Sequence, residues 1–92
     1  MALELAQHEL EIAGYYRSHD NLKAAETRLL DLINRFNDTD VAGTALLQRG
    51  EIYRSTDQQE RAVLAFASVA YHHPDHEAAR EAEQALAELA GD

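Results

Sequence analysis

The chain of 92 residues has no cysteine, no tryptophan, one proline and four glycines. Without cysteine there is no disulfide framework, no thiolate zinc site and no thiol nucleophile, and the compartment stays open. Strand-type alternation of β-branched and polar residues is also missing, while Ala, Leu, Glu and Gln, which lose little on entering a helix, are abundant. Positive charge is scarce: eight Lys and Arg stand against 17 Asp and Glu, for a net charge of −9. Nucleic acid and anionic lipid both demand an excess of cations, so neither is an expected partner; a basic or neutral protein surface fits better. The opening MALELAQHEL has no basic leader and no unbroken apolar run, so it reads neither as a signal peptide nor as a membrane span. Met1 and Ala2 precede a helix already in register, which suits either an excised domain or a native start.

What remains is helical periodicity. Leu3, Ala6, Leu10, Ala13 and Tyr16 recur at steps of three and four, the signature of one helix face ending near Ser18. After the polar break His19, Asp20, Asn21, the stripe restarts at Leu22 and runs through Ala25, Leu29, Leu32, Ile33 and Phe36; so short a turn requires antiparallel helices. Asn37 to Asp40 form a turn and N-cap cluster that opens a second hairpin, with Val41, Ala45, Leu46, Ile52 and Tyr53 on its first helix and Ala62, Ala65, Phe66 and Val69 on its second. Asp57 and Glu60 have capping-box spacing. Pro74 disfavours helix at His73, so the fourth helix is expected to end near His72. Asp75 is then placed to cap a fifth helix, His76 to Ala90, whose Ala79, Ala82, Leu86 and Leu89 make one narrow apolar face.

The stretch YRSHDNLKAAE from Tyr16 and the stretch YRSTDQQERAV from Tyr53 are separated by 37 residues. At that one offset, without a gap, Leu10 meets Leu47, Ala13 meets Gly50, Ala25 meets Ala62, Leu29 meets Phe66, Leu32 meets Val69 and Asn37 meets Pro74. A repeated helical hairpin of this length, small residue then aromatic in the first helix and Ala then a bulky residue in the second, resembles the tetratricopeptide repeat. The implied fold is an all-α solenoid, with repeat one over about 3–37, repeat two over about 40–74 and a capping helix over about 76–90. Small residues at Ala13, Gly50, Ala25 and Ala62 let helices approach while Tyr16, Tyr53, Leu29 and Phe66 fill the gaps between them. Asp20 and Asp57 depart from the pattern by standing where glycine commonly ends the first helix.

Residues 5–36, LAQHELEIAGYYRSHDNLKAAETRLLDLINRF, further resemble the later repeats of the outer-membrane assembly lipoprotein BamD, and the second half, ending PDHEAAREAEQAL, is similar to the periplasmic repeat protein CpoB. The resemblance implies a periplasmic module, associated with the outer membrane, that docks on subunits of the β-barrel assembly machinery; the residues alone leave a cytoplasmic location open.

In stacked hairpins the first helix of each pair lines the concave side. The candidate protein-binding residues there are Leu10, Gly14, Arg17, Ser18, Leu47, Glu51, Arg54 and Ser55, with the two arginines set one repeat apart to fork onto carboxylates of a bound segment. Against this, each arginine can simply pair with Glu11, Glu51 or Asp20 on the surface. His72, His73, Asp75 and His76 invite a metal, but Pro74 removes the helical spacing that would join two imidazoles, and a polar inter-helix loop explains them. Ser18, Ser55 and Ser68 sit in helical patterns, without the strained turn of a nucleophile, so neither catalysis nor a cofactor is expected. The competing reading is a structural spacer or small homodimer, since Leu3, Leu5, Leu10 and Ile12 exceed what one neighbouring helix can cover.

Overall fold

The computed structural model describes residues 2–91, and for residues 2 and 3 the backbone only. Five helices follow one another: α1 Ala2–Ser18, α2 Leu22–Arg35, α3 Asp40–Ser55, α4 Gln59–His72 and α5 Glu77–Gly91; there is no strand among the described residues. They form an all-α helical repeat of the tetratricopeptide type. The body measures 41 × 30 × 17 Å, a slab two helices thick. The inner helices α1 and α3 approach each other, as do α3 and α5, whereas no Cα of α2 comes within 8 Å of one in α4. The outer layer is therefore splayed and the array curves toward α1, α3 and α5.

The repeated Tyr-Arg-Ser-x-Asp ends the inner helices. Asp20 and Asp57 both take the left-handed conformation, with φ of 62° and 63°. In the first turn the Asn21 amide donates to the Tyr16 carbonyl at 2.8 Å and Asp20 to Arg17 at 3.1 Å; in the second, Gln58 donates to Tyr53 at 2.8 Å and Asp57 to Arg54 at 3.3 Å. This is the Schellman pattern, which satisfies carbonyls that a helix end leaves orphaned. Aspartate is one of the few residues other than glycine that visits this region at tolerable cost.

Two expected caps do not form. With Asp57 held left-handed, α4 starts one residue later, at the N-cap Gln58, whose side chain makes no capping bond, so the Asp57/Glu60 box is absent. At α5 it is His76 that caps, its Nδ1 accepting from the Ala78 amide at 2.9 Å, and Asp75 stays in the loop. The Asn37–Asp40 cluster does open α3, through the Thr39 hydroxyl, which accepts from the Ala42 amide at 3.3 Å. The two inter-repeat loops match bond for bond despite Asn37 in one and Pro74 in the other: Thr39 donates to Phe36 and His76 to His73, at 3.1 and 3.0 Å.

The core divides by nearest neighbours, as a solenoid requires. One cluster joins Ala13, Ala25, Leu29, Leu32 and Phe36 to Val41, Ala45 and Ile52 of α3. The other joins Leu47 and Tyr53, from the opposite side of α3, to Phe66, Val69 and the alanines of α5. Gly50 explains how Phe66 enters: a Cβ at residue 50 would lie 2.5 Å from its Cε1, so only glycine admits the ring. Among the described residues no helix is long and apolar enough to cross a membrane.

Candidate functional site

The concave face is built from the last turns of α1 and α3 and the matching stretch of α5. Arg17 reaches across to Glu51 at 3.2 Å and Arg54 reaches to Glu88 at 2.9 Å. Both acceptors lie 34 residues beyond their arginine, so the second pair is the first one shifted by a repeat. Together they make a two-rung ladder over the inner helices. The pair with Glu51 was foreseeable from the surface-pairing alternative. Glu88 was missed, although its place one repeat after Glu51 was visible in the sequence.

The remaining expected residues divide. Leu47 is buried in the second core cluster and Leu10 packs half-buried against the first, so both act chiefly through packing. Gly14 has open space around it: a Cβ there would meet nothing within 4 Å. The hydroxyls of Ser18 and Ser55 donate to the carbonyls of Tyr15 and Ile52 of their own helices, at 3.0 and 2.9 Å, leaving only lone pairs for a ligand. Ser18, Arg54 and Ser55, which are exposed, and the half-buried Gly14, Arg17 and Glu51 are thus the accessible part. Between α3 and α5 a hollow of about 270 Å³ places Arg54 among Glu51, Glu81 and Glu88, so carboxylates dominate this end.

A second polar group was not legible in the sequence. The Tyr53 hydroxyl donates to Glu26 Oε1 at 2.5 Å and accepts from Arg49, whose guanidinium also lies 3.8 Å from Glu26. Arg49 and Arg61 stand over the Tyr53 ring at 5.2 and 6.0 Å. Burial, followed by the bond to Glu26, pushes the Tyr53 phenol above its ordinary range. The network ties α2 to α3 on the outer side. It leaves the buried Arg49 Nε without a partner.

The histidine loop does not assemble a ligand set: no three of His, Asp and Glu gather in metal-binding fashion among the described residues. His73 instead lies on α3, where a Cβ on Gly43 would come within 3.1 Å of its Cγ. Burial, with the neighbouring His76 and His72, lowers its pKa against the opposing pull of Asp40.

Residues 2–64, α1 to α3 and the beginning of α4, match the family described as outer membrane lipoprotein, YfiO. The chain belongs to the YfiO family. That match agrees with the likeness to outer-membrane assembly lipoproteins carried by residues 5–36, and it stops short of residues 65–92. No curated protein and no solved structure matches the chain significantly.

On the N-terminal flank, the repeat register makes Leu5 and Tyr15 of this YfiO-family chain the equivalents of Ala42 and Ile52, both buried in α3, Ile52 in the cluster it shares with α2. In α1 these residues are 55% and 59% exposed, with Ile12 half-buried between them. Leu3, expected on the same flank, lies outside the residues whose side chains are described. The corresponding open side of α5 is different. It carries Gln84, Ala87 and Ala90 where α3 carries Leu47, Gly50 and Tyr53, so water meets no large apolar side chain there.

Proposed function

We propose that the chain is a single, non-catalytic protein-interaction module of outer-membrane β-barrel protein assembly, working at the periplasmic face of that membrane. Its two hairpins and α5 act as one unit, with boundaries close to 3–37, 40–74 and 76–90. The observation that carries the reading is the duplicated ladder Arg17–Glu51 and Arg54–Glu88 on the inner helices of a YfiO-family fold. These side chains remain between one third and about one half exposed, and exposed ion pairs contribute under about 1 kcal/mol, so exchanging a rung for a partner's carboxylate costs little. Arg17 and Arg54 take that carboxylate, Gly14 lets the partner's backbone come close, and Leu10 and Leu47 supply the apolar floor. Ser18 and Ser55 offer lone pairs beside it. Glu81 and Glu88 favour a segment that also carries a basic side chain.

The test is recovery of barrel-assembly subunits from detergent-solubilised bacterial envelope by the tagged chain, compared with Arg17→Glu, Arg54→Glu. The double variant is expected to lose the partner and keep its melting temperature; retained capture would remove the inner face from the account.

A second reading has its own support. The exposed Leu5 and Tyr15 on α1 suit a structural spacer or a homodimer that covers this flank. Sedimentation under dilution separates the two, since a dimer through α1 dissociates on substituting Leu5 or Tyr15 by Glu, and a monomer leaves the inner face as the working surface.

A further inference from the structure

Four of the six large hydrophobic residues exposed among the described residues, Leu30, Val63, Leu64 and Tyr71, lie on the outer helices α2 and α4. Repeat stacking does not call for them on α4. One repeat earlier the equivalents of Val63, Leu64 and Tyr71 are Glu26, Thr27 and Asn34, the polar residues a solvated outer face normally carries. Leu64 is 68% and Tyr71 is 74% exposed, seven residues apart and so on one stripe of the helix.

That stripe borders a trough. Because α2 and α4 are splayed, α3 forms a floor between them, and two hollows of about 400 and 420 Å³ share Leu46 and Ser68. Ile33 lines the α2 wall, with Leu30 one turn away on the same stripe. From Arg61 to His72 the α4 wall spans about 16 Å, room for three turns of a helix. Charge marks one end. There Arg49 is matched by Glu26, but Arg61 pairs with no carboxylate among the described residues, in a chain of net charge −9.

We propose that this outer trough binds an amphipathic helical segment of another protein, its apolar stripe against Leu46, Leu64 and Tyr71 and a terminal carboxylate on Arg61. Such a helix needs anchors at spacings of three, four and seven, which Leu64, Ser68 and Tyr71 provide on the receiving side. A second copy of the chain is the poorer occupant, because it brings another nine negative charges. The proposal rests on the reading of the chain as an interaction module, though not on its inner face, so the two fail separately.

The probe is a 16-residue synthetic helix of about four and a half turns, leucine at every third and fourth position and one glutamate near its end, with the same peptide bearing lysine there as control. Fluorescence anisotropy with the full chain is expected to show binding of the glutamate peptide. Leu64→Glu and Tyr71→Ser should each weaken it at least tenfold with helicity unchanged, and Arg61→Glu should transfer preference to the lysine peptide. Arg17→Glu, Arg54→Glu should bind as wild type. No binding by wild type, equal binding of both peptides, or indifference to Leu64→Glu overturns the proposal. So does sedimentation showing a wild-type dimer that Leu64→Glu dissolves, which would make a second copy the occupant.

Discussion

Repeat one and repeat two are built on the same skeleton and differ where the skeleton makes no demand. The left-handed Asp20 and Asp57, the loops after Phe36 and His73, and the rungs from Arg17 and Arg54 recur at a shift of 37 residues. In the core the repeats solve one packing problem in two ways. The first sets Ala13 with Leu29 in its cluster, and the second sets Gly50 under Phe66. Total volume at the crossing is kept while the shape changes, the kind of exchange a close-packed interior accepts. On the outside nothing constrains the pair: Thr27 and Asn34 of α2 give way to Leu64 and Tyr71 of α4. Positions that hold across repeats therefore report packing, helix termination and the inner ladder, and the outer positions that break the repeat are where a second recognition surface is to be sought.

The largest effect is expected from forcing the first solution on the second repeat. Gly50→Ala places a methyl 2.5 Å from Phe66 Cε1 and should cost about 1 to 3 kcal/mol in urea denaturation, although alanine is the better helix former. A gain in stability would mean that the ring relaxes freely and that the close approach is incidental.

A smaller effect probes the shared turn. Asp57→Ala puts an ordinary side chain at φ 63° and should lose about 1 kcal/mol, whereas Asp57→Gly should be neutral or stabilising by less than that. The same pair at Asp20 should behave alike. Unequal responses at the two sites would break the equivalence of the repeats.

The smallest effect is a pH dependence confined to the second loop. Folding lowers the pKa of His73, so as pH falls below about 6.5 the unfolded chain takes up its proton first and stability declines; above that pH both states are neutral and the contribution is flat. Phe36, the equivalent in repeat one, cannot titrate. Thermal melts from pH 8 to 5 should slope less for His73→Gln than for wild type, and parallel slopes would show that His73 does not carry the effect.

Much of this was written in the sequence. The 37-residue offset gives the helices, their antiparallel pairing and the inner position of Arg17 and Arg54, because periodicity and turn chemistry are local properties. Legibility fails where the outcome depends on tertiary distance. Asp57 has the spacing of a capping box, yet the left-handed turn required by the Schellman bond from Gln58 to Tyr53 moves the helix start past it. Tyr53, read as packing, also bonds Glu26 and Arg49 from two helices, a meeting no spacing announces. The outer trough was overlooked for a related reason. Leu64 reads as one more apolar residue in an apolar helix until the splay of α2 and α4 shows it facing solvent.

The two repeats stand as interchangeable solutions of one packing geometry. A denaturation cycle over wild type, Gly50→Ala, Phe66→Leu and the double variant puts this to the proof, since the double variant rebuilds in repeat two the residue pair of repeat one. The double variant is expected to be more stable than Gly50→Ala alone, with a favourable coupling of about 1 kcal/mol or more. Strictly additive losses would contradict it, by showing that residues 50 and 66 do not answer to each other as Ala13 and Leu29 do.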